Sequence, residues 1–170
     1  MAIAFLNPEL ARWDQLAHST GGAPDALVLS FFSDERPLRG AAGLADWRLC
    51  GRLSRLLQAG RVSGTFGEST LLPAIKLPFD KLVLFGLGPS ERFDEGRYRE
   101  AARAVRRVLA SLEIRRYALP LPGRSTGRIM ARRALELWLA DAERETDVWL
   151  VEPQAAQKEM SEALGKSGAR

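Results

Sequence analysis

Apolar residues in this chain fall into two patterns that alternate along it: short unbroken runs, and stripes spaced three and four residues apart. The runs at 2–6 (AIAFL), 26–32 (ALVLSFF), 82–87 (LVLFGL) and 147–151 (DVWLV) have the length of strands. A strand sends alternate side chains to opposite faces, so the nearly continuous apolar runs at 26–32 and 82–87 predict strands covered on both sides, while 2–6 and 147–151 read as a first and a last strand. Residues 117–121 (YALPL) read as a short apolar strand. The stripes are helical. Leu49, Cys50, Leu53, Leu56 and Leu57 share one face of a helix expected over 44–59 and ended by Gly60, which places Cys50 in the core as a small apolar residue. Tyr98, Ala101, Ala102, Val105, Val108, Leu109 and Leu112 form the stripe of a second helix, capped by Asp94. Asn7 and Pro8 suit the start of a third, running to about residue 17 before a Gly-containing loop at 19–24. Residues 62–66 and 69–77 read as two strands around Gly67 and Glu68, the second demoted to an edge by Pro73 and Pro78. Residues 153–170 are polar and read as a short helix and a frayed tail. Strand–helix alternation of this kind predicts an α/β domain over 1–152, a mixed sheet sandwiched between helical layers, with 153–170 as its tail.

The stretch 117–139 concentrates the candidate chemistry. A strand is followed by a loop at 122–126, and Ser125 and Thr126 stand where a helix running to about residue 142 would take its N-cap. Gly123 and Gly127 lack a Cβ, so backbone N–H groups there can approach a ligand. With Arg124, Arg128 and Arg132 nearby, the loop has the composition of an anion site at a helix N-terminus. The same residues also suit an ordinary strand-to-helix turn with a serine cap.

Charge sharpens this picture in one place. The chain of 170 residues carries a net charge of +4, but residues 97–133 hold 11 arginines against Glu100 and Glu113, while residues 134–170 are net acidic. Arg99, Arg103, Arg106, Arg107, Arg115 and Arg116 form a basic cluster suited to phosphates, either as a nucleic-acid surface or as a solvated helix face. Few aromatic residues interleave with them (Tyr98 and Tyr117), which disfavours a single-strand stacking platform. Other chemistry is excluded. One cysteine allows neither an internal disulfide nor a multi-Cys zinc site. His18 has no nucleophile motif beside it, Gly86 and Gly88 do not complete a dinucleotide fingerprint, and Lys166–Ser167 lacks the upstream glycine of a phosphate-binding loop. No cofactor and no metal are expected. Trp13, Trp47, Trp138 and Trp149 fall in apolar patterns and read as core or interface anchors. No apolar run approaches the ~18 residues of a spanning helix and no basic start precedes an apolar core, so the expectation is a cytoplasmic protein without membrane contact.

The order of these elements resembles a known family. Asp25-Ala-Leu-Val-Leu-Ser-Phe-Phe, the helix after Leu44, Phe66-Gly-Glu-Ser-Thr-Leu, then Lys81-Leu-Val-Leu-Phe-Gly-Leu-Gly and an alanine-rich helix resemble the N-terminal domain of leucyl aminopeptidases, over about residues 25–142. The resemblance implies a macro-domain-like fold. In that family catalysis belongs to a separate C-terminal domain with two metals and an Asn-Thr-Asp-Ala-Glu-Gly-Arg segment, which these residues do not contain, so peptidase activity is not expected of this chain alone. Macro domains bind ADP-ribose with a Gly-rich loop after an early strand and a Ser-Thr-Gly loop before a later helix. Arg39-Gly40-Ala-Ala-Gly43 and Gly123-Arg-Ser125-Thr126-Gly127 lie in comparable places, and with Arg128 they form the implied ligand site. The Asn residues of hydrolysing macro domains are replaced by Ser30-Phe31-Phe32-Ser33, which argues against ADP-ribose processing. The resemblance thus implies a non-catalytic binding or assembly module for a phosphate-bearing ligand, a protein partner or a second copy. Nucleic acid is the alternative, since some aminopeptidases of this family bind DNA as hexamers.

Overall fold

The computed structural model describes residues 2–8, 23–141 and 146–167. The helix expected from Asn7, most of the following loop, His18 and Trp13 lie outside the described residues. Six strands form one sheet: β1 (Ala2–Leu6), β2 (Ala26–Phe31), β3 (Ser69–Pro73), β4 (Lys81–Gly86), β5 (Arg116–Leu119) and β6 (Asp147–Val151). Their spatial order is β1-β6-β5-β2-β4-β3. All neighbours run parallel except β3, which pairs antiparallel to β4 at the edge. Pro73 closes this edge strand, where a missing N–H costs no ladder bond.

Apart from 2–6, which forms the edge strand β1, the apolar runs are central strands, and their alternation divides the core in two. Ala26 and Val28 of β2 point to one face, with Val83, Phe85, Tyr117, Leu119, Val148 and Leu150. Leu27, Leu29 and Phe31 point to the other, with Leu82, Leu84, Ala118 and Val151. The first face is covered by α3 (Glu95–Ser111), α4 (Ala131–Ala140) and α5 (Gln154–Ser167). The second is covered by α1 (Gly40–Arg48), α2 (Arg52–Gln58) and the loop carrying Ala74, Leu77 and Phe79. This is the three-layer α/β sandwich expected. Fully burying one such Leu or Phe contributes about 1.5–3 kcal/mol, so the double-sided strands anchor the molecule.

The α3 stripe is as expected: Asp94 accepts the Arg97 N–H at 2.8 Å, and Tyr98, Ala101, Ala102, Val105 and Leu109 are buried. The Tyr98 hydroxyl donates to the Ala134 carbonyl at 2.7 Å, tying α3 to α4, and burial pushes its pKa up. Residues 154–167 form a helix whose Ala156 and Met160 enter the core beside α4.

Three expectations need correction. The helix expected over 44–59 is two helices, broken at Cys50 and Gly51. Both take positive φ (55° and 75°), and Asp46 turns its carboxylate onto the Leu53 and Ser54 N–H groups that open α2. Cys50 is accordingly exposed rather than in the core. Residues 62–66 are a loop rather than a strand, because Glu68 accepts the Ser63 and Gly64 N–H groups that a ladder would have used. Ser125 and Thr126 do not cap the helix after β5. They lie in a 3-10 turn (Arg124–Thr126), and α4 starts five residues after Thr126, behind Met130.

Candidate functional site

The parallel strands bring their carboxyl ends to one edge of the sheet. From β2 the chain passes to α1 on one face; from β5 it passes to α4 on the other. A crevice therefore opens between the two loops, at the switch of direction where open α/β sheets take their ligands. It encloses about 210 Å³ and is lined by Ser30 and residues 39–42 on one side, by Pro120, Leu121, Gly123, Arg124 and Ser125 on the other, and by Val151 and Glu152 at the end of β6. The walls are close: a Cβ on Gly40, whose φ is 54°, would stand 3.5 Å from the Ser125 Cβ.

Glu35 joins the two loops from below. It is only 6% exposed. Its Oε1 accepts the Arg39 N–H at 2.8 Å, and its Oε2 accepts the Phe32 N–H and the Ser125 hydroxyl, each at 3.3 Å. The Arg39 N–H belongs to the start of α1, which has no side-chain cap of its own. Converging backbone N–H groups, a hydroxyl and a helix N-terminus make a cradle for an anion. Here a carboxylate of the chain itself fills it.

A second acidic group closes the far wall. Glu152, 1% exposed, meets the Arg124 guanidinium: Nε stands 3.1 and 3.3 Å from the two carboxylate oxygens, and Nη2 donates to Oε2 at 3.2 Å. Arg124 also donates to the Ile129 carbonyl at 2.9 Å, bracing the loop before α4. Burial pushes the Glu152 carboxyl above the usual carboxylate range, and the Arg124 bonds only partly offset this. Asp34 accepts the Ser90 N–H at 2.9 Å and its hydroxyl at 2.7 Å, stitching the β2 loop to the β4 loop. These bonds, the hydroxyl's foremost, hold Asp34 below its ordinary pKa.

Of the residues singled out in the sequence, Gly40, Gly123 and Ser125 line the crevice. Gly43 lies elsewhere, in a groove with Trp47, and a Cβ there would stand 2.5 Å from the Leu38 carbonyl oxygen. Thr126 closes its own turn by donating to the Gly123 carbonyl at 3.1 Å, and Gly127 ends that turn at φ 67°. Arg128 lines a separate hollow with Phe93, Asp94 and Met130. Gly123 has a packing reason to lack a side chain, since a Cβ would fall 2.4 Å from the Phe93 ring. In Ser30-Phe31-Phe32-Ser33, Ser30 reaches the crevice, while the two phenylalanines enter opposite cores, Phe32 edge-on to Phe93 at 5.0 Å. Glu35 and Glu152 went unnoticed in the sequence. The one hint was an acidic residue between a buried strand and the Gly40 loop.

Among the described residues, carboxylates pair with two of the six arginines of the cluster. Arg99 stands 3.7 Å from Glu95, and Arg103 2.8 Å from Asp141. Arg106 lies over the Trp138 ring and donates to its carbonyl. Arg116 lies over Trp149 and donates to the Ala23 carbonyl. Arg107 and Arg115 are exposed. Outside the cluster, Arg97, Arg132 and Arg133 pair with Glu100, Glu136 and Glu95. Among the described residues, no group of three or more His, Cys, Asp or Glu side chains is placed to hold a metal ion, and no helix is long and apolar enough to cross a membrane.

A model of the N-terminal domain of the cytosol aminopeptidase family matches residues 28–141. The chain belongs to this family. Curated relatives include probable cytosol aminopeptidases of Burkholderia orbicola, 32% identical over 94 residues (55% of this chain, 18% of the relative), and of Synechocystis, 31% identical over 101 residues (59% and 20%). The chain thus spans about a fifth of the length of these relatives. Among solved structures, a tomato leucine aminopeptidase mutant superposes with a TM-score of 0.59 at 16% identity, covering 96% of this chain and 35% of that one. A Trypanosoma brucei macrodomain in complex with ADP superposes with a TM-score of 0.69 at 14% identity, covering 96% and 69%. The same macrodomain in complex with ADP-ribose gives 0.66 at 16% identity, covering 84% and 64%. At these identities the likeness is one of fold. It joins the aminopeptidase N-terminal domain to the macrodomain architecture that the family resemblance implies.

Proposed function

We propose that this cytosol aminopeptidase N-terminal domain is a non-catalytic, cytoplasmic binding or assembly module that acts through a protein partner, its macrodomain-like crevice serving as scaffold. The observation that carries this reading is Glu35. Its carboxylate takes the Arg39 and Phe32 N–H groups and the Ser125 hydroxyl, the donors a ligand phosphate would need. Glu152 adds a second buried carboxylate. A diphosphate brought against Glu35 would meet like charge where solvent screening is weak, a juxtaposition that costs several kcal/mol, while Glu152 is already paired with Arg124. The space of about 210 Å³ is also below the ~300 Å³ at which ligand pockets begin.

A second reading has support of its own. The crevice stands at the ligand edge of the sheet, and the Trypanosoma brucei macrodomain of the same architecture was crystallised with ADP and with ADP-ribose. On that reading a phosphate-bearing ligand such as ADP-ribose displaces Glu35 and is held by Gly40, Gly123 and Ser125, with Gly43, Thr126, Gly127 and Arg128 around it. Nucleic-acid binding by Arg99, Arg103, Arg106, Arg107, Arg115 and Arg116 has less support, because Glu95 and Asp141 already neutralise part of that face.

Calorimetric titration with ADP-ribose, run beside light scattering, separates the first two. The scaffold reading expects no saturable heat. Saturable single-site heat, lost in Ser125→Asp and Arg128→Glu variants that fold normally, would replace it with the ligand reading.

A further inference from the structure

The face opposite α3 carries a group of exposed side chains that the crevice does not use. Trp47 is 79% exposed on α1, and Leu44, one turn earlier on the same side, is 39% exposed. Ile75, 59% exposed, sits in the loop that Arg48 ties to α1 by donating from Nε to the Lys76 carbonyl at 3.1 Å. A groove beside Trp47 is lined by Pro37, Leu38, Gly43 and Cys50, with Asp46 and Arg48 among its polar residues. Tryptophan is an expensive residue to leave in water and among the commonest energetic anchors of protein interfaces.

The charge around this apolar group is mostly basic: Arg48, Arg52, Arg55 and Lys76 against Asp46. Arg52 donates to the Pro73 carbonyl at 3.2 Å, Arg55 to the Cys50 carbonyl at 2.7 Å, and the Lys76 ammonium stands 3.6 Å from the Cys50 sulfur. These contacts hold the cations in place without neutralising them, and none of the three has a carboxylate partner among the described residues. Asp46, a carboxylate that lines the same groove, has both oxygens engaged at the start of α2, by the Leu53 and Ser54 N–H groups and the Ser54 hydroxyl.

From this arrangement we infer that the α1–α2 junction docks an acidic peptide segment bearing bulky apolar side chains. This rests on the partner-binding reading above and names the surface and the chemistry of the partner. The apolar residues explain why a protein fits better than single-stranded nucleic acid: Leu44, Ile75 and Pro37 offer no aromatic ring for bases to stack on, and Trp47 alone does not make a platform. An amphipathic acidic helix would lay its apolar side on Trp47, Leu44 and Ile75 and its carboxylates on Arg52, Arg55 and Lys76.

The test uses the full chain and a synthetic amphipathic helix of roughly 14 residues, four turns, with Leu and Phe at three- and four-residue spacing and Glu elsewhere. The same peptide with Lys for Glu and a single-stranded oligodeoxynucleotide serve as comparison probes. Fluorescence titration is expected to show saturable binding of the acidic peptide alone, weakened at least ~10-fold by Trp47→Ala and again by Arg52→Glu with Arg55→Glu. Melting curves confirm that the variants fold. No binding of the acidic peptide at ~1 mM overturns the inference. So does binding indifferent to Trp47→Ala, equal binding of the Lys peptide, a Trp47-dependent preference for the oligonucleotide, or a Trp47-dependent rise in mass that marks the surface as a self-contact. These outcomes do not depend on Glu35 or Ser125. An ADP-ribose heat would sink the scaffold reading with this surface intact, and an idle Trp47 would sink this surface with that reading intact.

Discussion

The crevice at the strand ends and the face at the α1–α2 junction both gather charged side chains, but they treat them in opposite ways. In the crevice the two buried carboxylates each answer other groups of the chain, while the Arg39 side chain at its rim is exposed. Glu35 holds two N–H groups and a hydroxyl, and Glu152 holds Arg124 in a nearly dry site. At the junction, Arg52 and Arg55 rest on backbone carbonyls that cannot cancel their charge, and a tryptophan stands in water beside them. Location at the ligand edge of a sheet therefore does not by itself make a site available. What counts is whether the donors and charges found there already have partners within the chain.

Breaking the closed region should produce the largest effect. Arg124→Ala leaves Glu152 buried without its cation and should destabilise the fold by about 3 kcal/mol in urea unfolding at neutral pH. The pH dependence has a definite sign. Burial holds the folded-state pKa of Glu152 above the ordinary carboxylate value, so its contribution favours folding below that ordinary value and is lost as pH rises through the folded pKa. The variant should therefore recover part of its lost stability on mild acidification. An equal loss at every pH would show that the carboxylate is not what the arginine compensates.

Gly123→Ala should cost about 2 kcal/mol or more, because the new Cβ meets the Phe93 ring and φ at this position is 74°. A neutral result in thermal melting would mean that the β5 loop can move, and the crevice with it. Glu35→Ala strands the Arg39 and Phe32 N–H groups and should cost about 1–3 kcal/mol. Glu35→Gln, which keeps an acceptor, should cost less.

The open region should respond differently. Trp47→Ala is expected to leave the melting temperature unchanged, since the side chain is mostly in water. The smallest effects belong to the paired surface of α3 and α4. Arg133 and Arg132 hold Glu95 and Glu136, and Arg103 holds Asp141, below their usual ranges. These groups contribute above the ordinary carboxylate pKa and lose that contribution as pH falls through their lowered values. High salt should erase the effect of Arg133→Ala on a melting curve near neutral pH.

Much of this architecture was legible from apolar patterning. β2 and β4 announced themselves as runs apolar on both faces, and α3 as a stripe with an aspartate cap, because those signals come from residues close in sequence. The break at Cys50 was hidden because Leu49, Leu53 and Leu56 continue a helical spacing across it. Only the Asp46 carboxylate, reaching seven residues ahead to the Leu53 N–H, reveals that a new helix begins. The candidate site was half legible. The loops containing Gly40 and Ser125 do meet, but the hydroxyl read as a helix cap turns instead to Glu35, 90 residues away in sequence. No local pattern encodes that meeting. It follows from the parallel pairing of β2 with β5, which sets the two loops side by side. Trp47 read as one apolar anchor among four, and only its exposure in the fold distinguishes it from Trp138, which is 1% exposed.

The most direct test of the scaffold reading is an amide spectrum of isotopically labelled protein titrated with ADP-ribose. If the crevice is filled by the chain's own carboxylates, the Phe32, Arg39, Gly40 and Ser125 amides should hold their positions to millimolar ligand. Saturable shifts confined to those amides would contradict the account and make this crevice a nucleotide site that Glu35 vacates.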